Sequence, residues 1–223
     1  MPYLLIDICG TLFFSNTTFD FLDFIVDNPR YRLLRRTMRC RPCRMINSVV
    51  YRIAHIDLFR RLALKNLKGI NRNTLLLKAD IFYDLHLASC RNKAVFNIID
   101  NLRGQYTPLL VSATIGPVAE VIGERENIAV AVSSELGYHN GICTGRLATD
   151  RLHSKAAALT SLSIMPPYGC IITDNPADAP IVRQSQKAYI VCYNNEQRWH
   201  HLLPDHHDIT FINIDDNEHT LAR

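Results

Sequence analysis

The stretch Tyr3-Leu-Leu-Ile-Asp-Ile-Cys-Gly-Thr-Leu12 restricts this chain more than any other. Tyr3 to Ile8 is apolar without alternation, broken only by the carboxylate of Asp7. That is the pattern of a strand covered on both faces, as in the parallel sheets of α/β folds. Asp7 then stands at the carboxyl end of the strand, where open α/β sheets place their ligands. Gly10 lets the backbone turn sharply and approach a substrate. Thr11 adds a hydroxyl beside it.

From Phe13 to about Cys90 the pattern is helical throughout. Phe19 to Val26 is dense enough in apolar residues for a buried or groove-lining helix ending near Asn28-Pro29. Tyr31 to Arg41 alternates apolar and arginine pairs, and Pro42 interrupts it. Met45 to Leu67 reads as one long helix closed by Lys68-Gly69, and Asn73 as the cap of a helix from Leu75 to about Cys90. The α/β pattern resumes at Asn92. Strands are expected at Thr107–Ala113, Ile128–Val132, Gly169–Thr173, Ala188–Tyr193 and Ile209–Ile214, with a small hairpin at Ser133–Leu147. Helices are expected to about Arg103, from Gly116 to about Asn127, from Leu152 to Leu162 and at Pro176. The expected fold is therefore a Rossmann-like parallel sheet, residues 1–13 and 91–223, carrying an all-helical insertion at 14–90. A chain of 223 residues is long enough for one such core plus an inserted module.

Three expected strands end on Asp7, Ser112 and Asp174, and a parallel sheet would bring all three to one edge. Lys155 lies on the helix between the last two. A carboxylate nucleophile, a hydroxyl, a lysine and an acid pair suit phosphoryl transfer through an aspartyl-phosphate. Asp7 and Asp174 are also hard oxygen ligands of the kind Mg²⁺ takes.

In this order and spacing the residues resemble the haloacid dehalogenase-like (HAD) superfamily, whose nucleophile motif is D-x-D-G-T. Val111-Ser-Ala-Thr114 looks like its second motif, Lys155 in His153-Ser-Lys-Ala-Ala-Ala-Leu159 its third, and Thr173-Asp-Asn-Pro-Ala-Asp178 its fourth. The hairpin between Glu135 and Arg146, and a helical cap inserted after the first motif, are similar to the phosphoserine-phosphatase-like branch. The resemblance implies Asp7 as nucleophile, and Thr11, Ser112, Ala113 and Lys155 as the phosphoryl-binding set. It implies Mg²⁺ on Asp7, Asp174, Asp178 and the backbone carbonyl of Cys9. The substrate it implies is a phosphorylated small molecule or lipid headgroup.

Cys9 stands where the family motif has its second aspartate, the residue that protonates the leaving oxygen and later activates water. A thiol with a reference pKa of ~8.5 can donate a proton but is a poor base toward water. Three readings follow: a slow phosphatase, a phosphotransferase that resists water, or a silent phospho-ligand or partner-binding protein. The presence of Asp7, Ser112, Lys155, Asp174 and Asp178 favours retained chemistry.

Residues 29–72 hold 13 Lys or Arg and one acid, Asp57, so this segment is +12 and the remainder −8. Such asymmetry marks a module with its own job. The arginines from Arg30 to Arg44 read either as a solvated helix face or as a patch for an anionic membrane surface. A nucleic-acid patch is the rival, but no nucleic-acid-binding motif accompanies it, and no such partner is expected. Seven cysteines give no disulfide framework; Cys40 and Cys43 read as thiols at the Pro42 break rather than a zinc or redox pair. Without a basic and apolar leader or an apolar run of roughly 18 residues, the expected address is cytoplasmic, with membrane-peripheral attachment through the basic segment. Residues 199–208, rich in histidine, read as a polar surface loop.

Overall fold

The computed structural model describes residues 1–54, 56–193, 196–203 and 208–214. Its centre is β1 (Tyr3–Ile6), the middle strand of a seven-stranded sheet. The chain continues through α1 (Thr17–Ile25), α2 (Pro29–Arg39), α3 (Arg41–Ala54), α4 (Leu58–Leu64), α5 (Arg72–Leu85) and α6 (Lys93–Leu102). Then come β2 (Thr107–Ile115), α7 (Gly116–Glu126), β3 (Ala129–His139), β4 (Ile142–Thr149), α8 (Lys155–Ser161) and β5 (Tyr168–Thr173). It closes with α9 (Ala179–Val182), β6 (Ser185–Cys192), α10 (Glu196–Leu202) and β7 (Ile209–Asn213).

The strand order is β4-β3-β2-β1-β5-β6-β7, parallel except for the antiparallel β3–β4 pair. The unbroken apolar run of β1 now has its reason. Leu4 and Ile6 belong to the core on one sheet face, with residues of α1, α5, α6 and α7. Leu5 belongs to the core on the other, with residues of α8, α9 and α10. All three are wholly buried. The expected α/β class, with helices inserted after the first strand, is what forms.

Helices α1, α2, α4 and α5 do not stand apart from the sheet. Phe21, Leu22, Leu64, Leu67, Leu75 and Phe82 share one continuous core with Leu4, Ile6 and Ile8. Asn16, Asn28, Asp57, Asn71 and Asn92 cap α1, α2, α4, α5 and α6, each side chain accepting a backbone N–H of the first turn.

Four expectations need correction. The helix expected from Met45 to Leu67 is two, α3 and α4, because Asp57 accepts the Arg60 N–H and starts a new helix. Asn71, not Asn73, caps α5. β2 runs past Ala113 to Ile115, its register against β3 shifting at Val111, and β3 continues without a break into the hairpin, so β4 is the sheet's edge. Asn140 and Gly141 take φ of 50° and 76° at that turn, the left-handed conformation that tight hairpins need. Finally, Trp199 is not part of a surface loop. It is wholly buried on α10, in the core with Leu203 and Ile190. A strand or helix pattern was hidden by the histidines around it; residues 204–207 lie outside the described residues.

Because Trp199 fills that core, Trp199→Ala should lower stability by about 3–5 kcal/mol. Urea unfolding of the two proteins measures this. A loss under about 1 kcal/mol would mean that α10 is not anchored as described.

Candidate active site

The sheet brings its functional groups to one edge through β1, β2, β5 and the start of α8. Asp7 follows β1 directly; its N–H still donates to Ile172 of β5, and its Oδ1 accepts the Ile8 N–H at 2.8 Å. Gly10 has φ +71°, and a Cβ there would overlap the Asp174 carboxylate. Only glycine permits both the left-handed backbone and that approach. Tyr193, just past β6, donates its hydroxyl to the Gly10 carbonyl and holds the turn. Thr11 is wholly buried. It donates to Asp174 Oδ1 at 2.9 Å and accepts the Asp174 N–H at 3.0 Å, so its hydroxyl orients this second carboxylate.

Lys155, the first residue of α8, is 4% exposed and joins the groups. Its Nζ lies 2.8 Å from Asp7 Oδ2 and 2.8 Å from Asp178 Oδ2. Thr173 Oγ1 donates to the same Asp178 oxygen at 2.8 Å. Burial works against the lysine's charge, but Asp178 and Asp7 outweigh it and raise the ammonium above its usual range. Asp174 is pushed up to about 7 by burial and by the charge of Asp7, with the Thr11 hydrogen bond acting the other way. Two buried carboxylates, Asp7 and Asp178, therefore flank one buried ammonium, with the half-buried Asp174 beside them. The surplus is negative charge on hard oxygens, Asp7 and Asp174 beside each other. That donor set suits a divalent cation such as Mg²⁺.

On the β2 side, Ser112 and Thr114 share a hydrogen bond at 3.1 Å, and Thr114 meets Thr17 of α1 at 2.8 Å. Arg60 of α4 reaches the same place. It is 4% exposed, binds Asp150 at 2.6 Å, and donates to the Ala113 carbonyl. Asp7, Cys9, Arg60, Ser112, Lys155 and Asp174 all line one cavity of about 360 Å³. A larger one, about 870 Å³, adjoins it, sharing Cys9, Asn16, Asp174 and Tyr193 and extending to Phe24, Phe82, Arg35 and Arg39. The Cys9 thiol borders both cavities and is pushed up to about 12, first by burial, then by Asp174 and Asp7. It stays protonated at neutral pH.

The structure thus brings Asp7, Cys9, Ser112, Ala113, Lys155 and Asp174 together around the inner cavity. Asp178 and Thr11 stand behind them, one on Lys155, the other on Asp174. Sequence reasoning missed Arg60, Thr114, Thr17, Thr173 and Tyr193. Nothing in the sequence separates Arg60 from the other cations of residues 29–72; only its burial does. Cys40 and Cys43 are free thiols at the α2–α3 junction. No group of three or more His, Cys, Asp or Glu is arranged as a metal cage among the described residues.

The Asp174 shift has a measurable sign. Its folded pKa of about 7 lies above the unfolded value, so the folded state binds more protons between about pH 4 and pH 7. Without divalent metal, stability should fall as pH rises through that window. Asp174→Asn should lessen the fall, leaving the part due to Asp178, which burial lifts to about 6, and stabilise the metal-free protein at pH 8 by on the order of 1–4 kcal/mol. Added Mg²⁺ should stabilise wild type more than the variant. Urea unfolding from pH 4 to pH 8 in chelator, then in Mg²⁺, reads all three. An unchanged pH slope in the variant would contradict the electrostatic picture.

No protein-family model and no curated protein sequence matches the chain. Its fold does have solved counterparts. A protein of unknown function from Bordetella pertussis Tohama I superposes with a TM-score of 0.68 at 16% identity, covering 96% of this chain and 97% of that one. A phosphoserine phosphatase in apo form gives 0.60 at 16% identity, over 99% and 97%. A HAD family hydrolase from Salmonella enterica serovar Typhi gives 0.63 at 11% identity, over 94% of this chain and 68% of that one. The chain therefore has the haloacid dehalogenase-like fold in its phosphoserine-phosphatase-like form, a Rossmann-like sheet with helices inserted after the first strand.

Proposed function

We propose that this protein is a Mg²⁺-dependent phosphatase that works through an aspartyl-phosphate on Asp7, with the second half of its cycle slowed by Cys9. The observation that carries the reading is the buried Asp7–Lys155–Asp178 ion network beside Asp174. A carboxylate held at 2.8 Å by an ammonium, at the floor of a cavity, is a positioned nucleophile. The substrate class is a phosphate monoester of a small molecule or a lipid headgroup. The adjoining cavity, with Phe24 and Phe82 among its walls and Arg35 and Arg39 on its cap side, has room for the alcohol part.

In the first step an Asp7 oxygen attacks phosphorus, and the bond from phosphorus to the leaving oxygen breaks. Lys155 and the Ser112 hydroxyl face the phosphoryl oxygens as their charge is redistributed. Asp7, Asp174 and the carbonyl of Cys9 would hold Mg²⁺, which when bound supplies positive charge to those oxygens. Asp178 keeps Lys155 charged and placed. The leaving oxygen takes its proton from solvent, since a thiol near 12 releases one reluctantly. In the second step water attacks the phosphoryl group, freeing inorganic phosphate and the Asp7 carboxylate. That water needs a base, and a protonated thiol is none. An alcohol acceptor in place of water would make the same phosphoenzyme a phosphotransferase.

Cys9→Asp restores a carboxylate at this position. With Mg²⁺ and a panel of phosphate esters, turnover should rise by about 10²–10⁴-fold where proton transfer limits the wild type. The same change in an Asp7→Asn background should yield nothing. A folded, Mg²⁺-binding Cys9→Asp protein with no gain on any ester would shift the reading to a silent phospho-ligand-binding protein.

A further inference from the structure

Outside the active site, the strongest unexplained feature is the outer face of α3. Its inner face is anchored. Asn47 donates to Asp57 and accepts the Leu58 N–H at 2.9 Å, and Tyr51 packs on the His153 ring at 4.6 Å. The opposite face carries Met45, Ile46, Val49 and Ile53, which are 70%, 61%, 53% and 79% exposed. At 100° per residue these four fall within one stripe of the helix about 100° wide. A contiguous exposed apolar stripe on a folded protein marks a surface that something covers.

The charge around it says what. Arg36 and Arg39 on α2, Arg41 and Arg44 at the start of α3, and Arg61 on α4 have no acidic partner among the described residues. The acids nearby are taken: Asp23 by Arg35, Asp27 by Arg32, and Asp57 by the start of α4. An apolar stripe on a helix whose charged residues are all arginines is complementary to an anionic surface with an apolar interior. A second copy would bring the α3 arginines against one another. We propose that α3 docks this protein on anionic phospholipid bilayers, its stripe lying in the interface and its arginines in the headgroup layer. The helix lies on the bilayer rather than through it: it has 14 residues, and no described helix is long and apolar enough to cross a membrane. Arg39, at the end of α2 next to the α3 start, also lines the larger cavity. The docking itself does not depend on the phosphatase reading.

The test is flotation of the whole protein with vesicles of phosphatidylcholine alone, or of phosphatidylcholine mixed with phosphatidylglycerol. Wild type should float with the mixed vesicles at low salt, bind neutral ones far less, and dissociate at high salt. Ile46→Asp/Val49→Asp should weaken binding by about tenfold or more. Leu77→Asp, an exposed apolar position on α5, should leave it unchanged. Should the double variant not fold, Ile53→Trp replaces it. Its emission should shift to the blue with anionic vesicles only, against the buried Trp199 as fixed background. Equal binding to both vesicle types, undiminished binding of the double variant, or no shift of Trp emission would overturn the proposal. So would a concentration-dependent dimer broken by Ile46→Asp/Val49→Asp without vesicle binding, which would assign the face to a second copy.

Discussion

The contact on which the site depends is the ammonium of Lys155 between two buried carboxylates. A lone buried lysine would shed its proton, and a lone buried carboxylate would take one up. Here Lys155 remains charged because Asp7 and Asp178 each stand 2.8 Å away. The price is geometric: the start of α8, the end of β1 and the turn after β5 must all stay in place. A buried ion pair is weak evidence for stability, since an apolar replacement often does as well. Its retention at a sheet edge, next to a further carboxylate, is better explained by chemistry than by folding.

The same balance leaves Asp174 without an ammonium of its own. Thr11 orients it, Gly10 makes room for it, and burial with Asp7 raises its pKa. Cys9 completes the ring around the cavity but contributes no charge at neutral pH. Position 9 therefore offers the cavity a protonated thiol and no base, beside the negative charge of Asp7 and Asp174. Arg60 adds a second tie, from α4 to the Ala113 carbonyl of β2 and to Asp150 just after β4, beyond the shared core.

Much of this was legible in the chain. β1 could be read because burial on both faces leaves no polar position in Leu4, Leu5 and Ile6, and the carboxylates could be read because they follow strands. Lys155 stood out by its place between two strands. Less legible was anything set by tertiary packing alone. The role of Thr11 depends on Asp174, more than 160 residues away. Arg60 looks like its twelve basic neighbours in residues 29–72 until its burial is known. Trp199 sits among histidines that mask its apolar setting. Asp57 broke a helix that periodicity alone extends through it, because one capping bond outweighs the pattern locally.

If Asp7 is the nucleophile, its phosphoryl adduct can be trapped. Protein incubated with Mg²⁺ and a reactive phosphate donor such as acetyl phosphate would be quenched in acid, digested and mapped by mass spectrometry. A hydroxylamine-labile phosphoryl group is expected on the peptide holding Asp7, absent when Asp7 is replaced by Asn. A phosphoryl group elsewhere, or one that survives in Asp7→Asn, would contradict it.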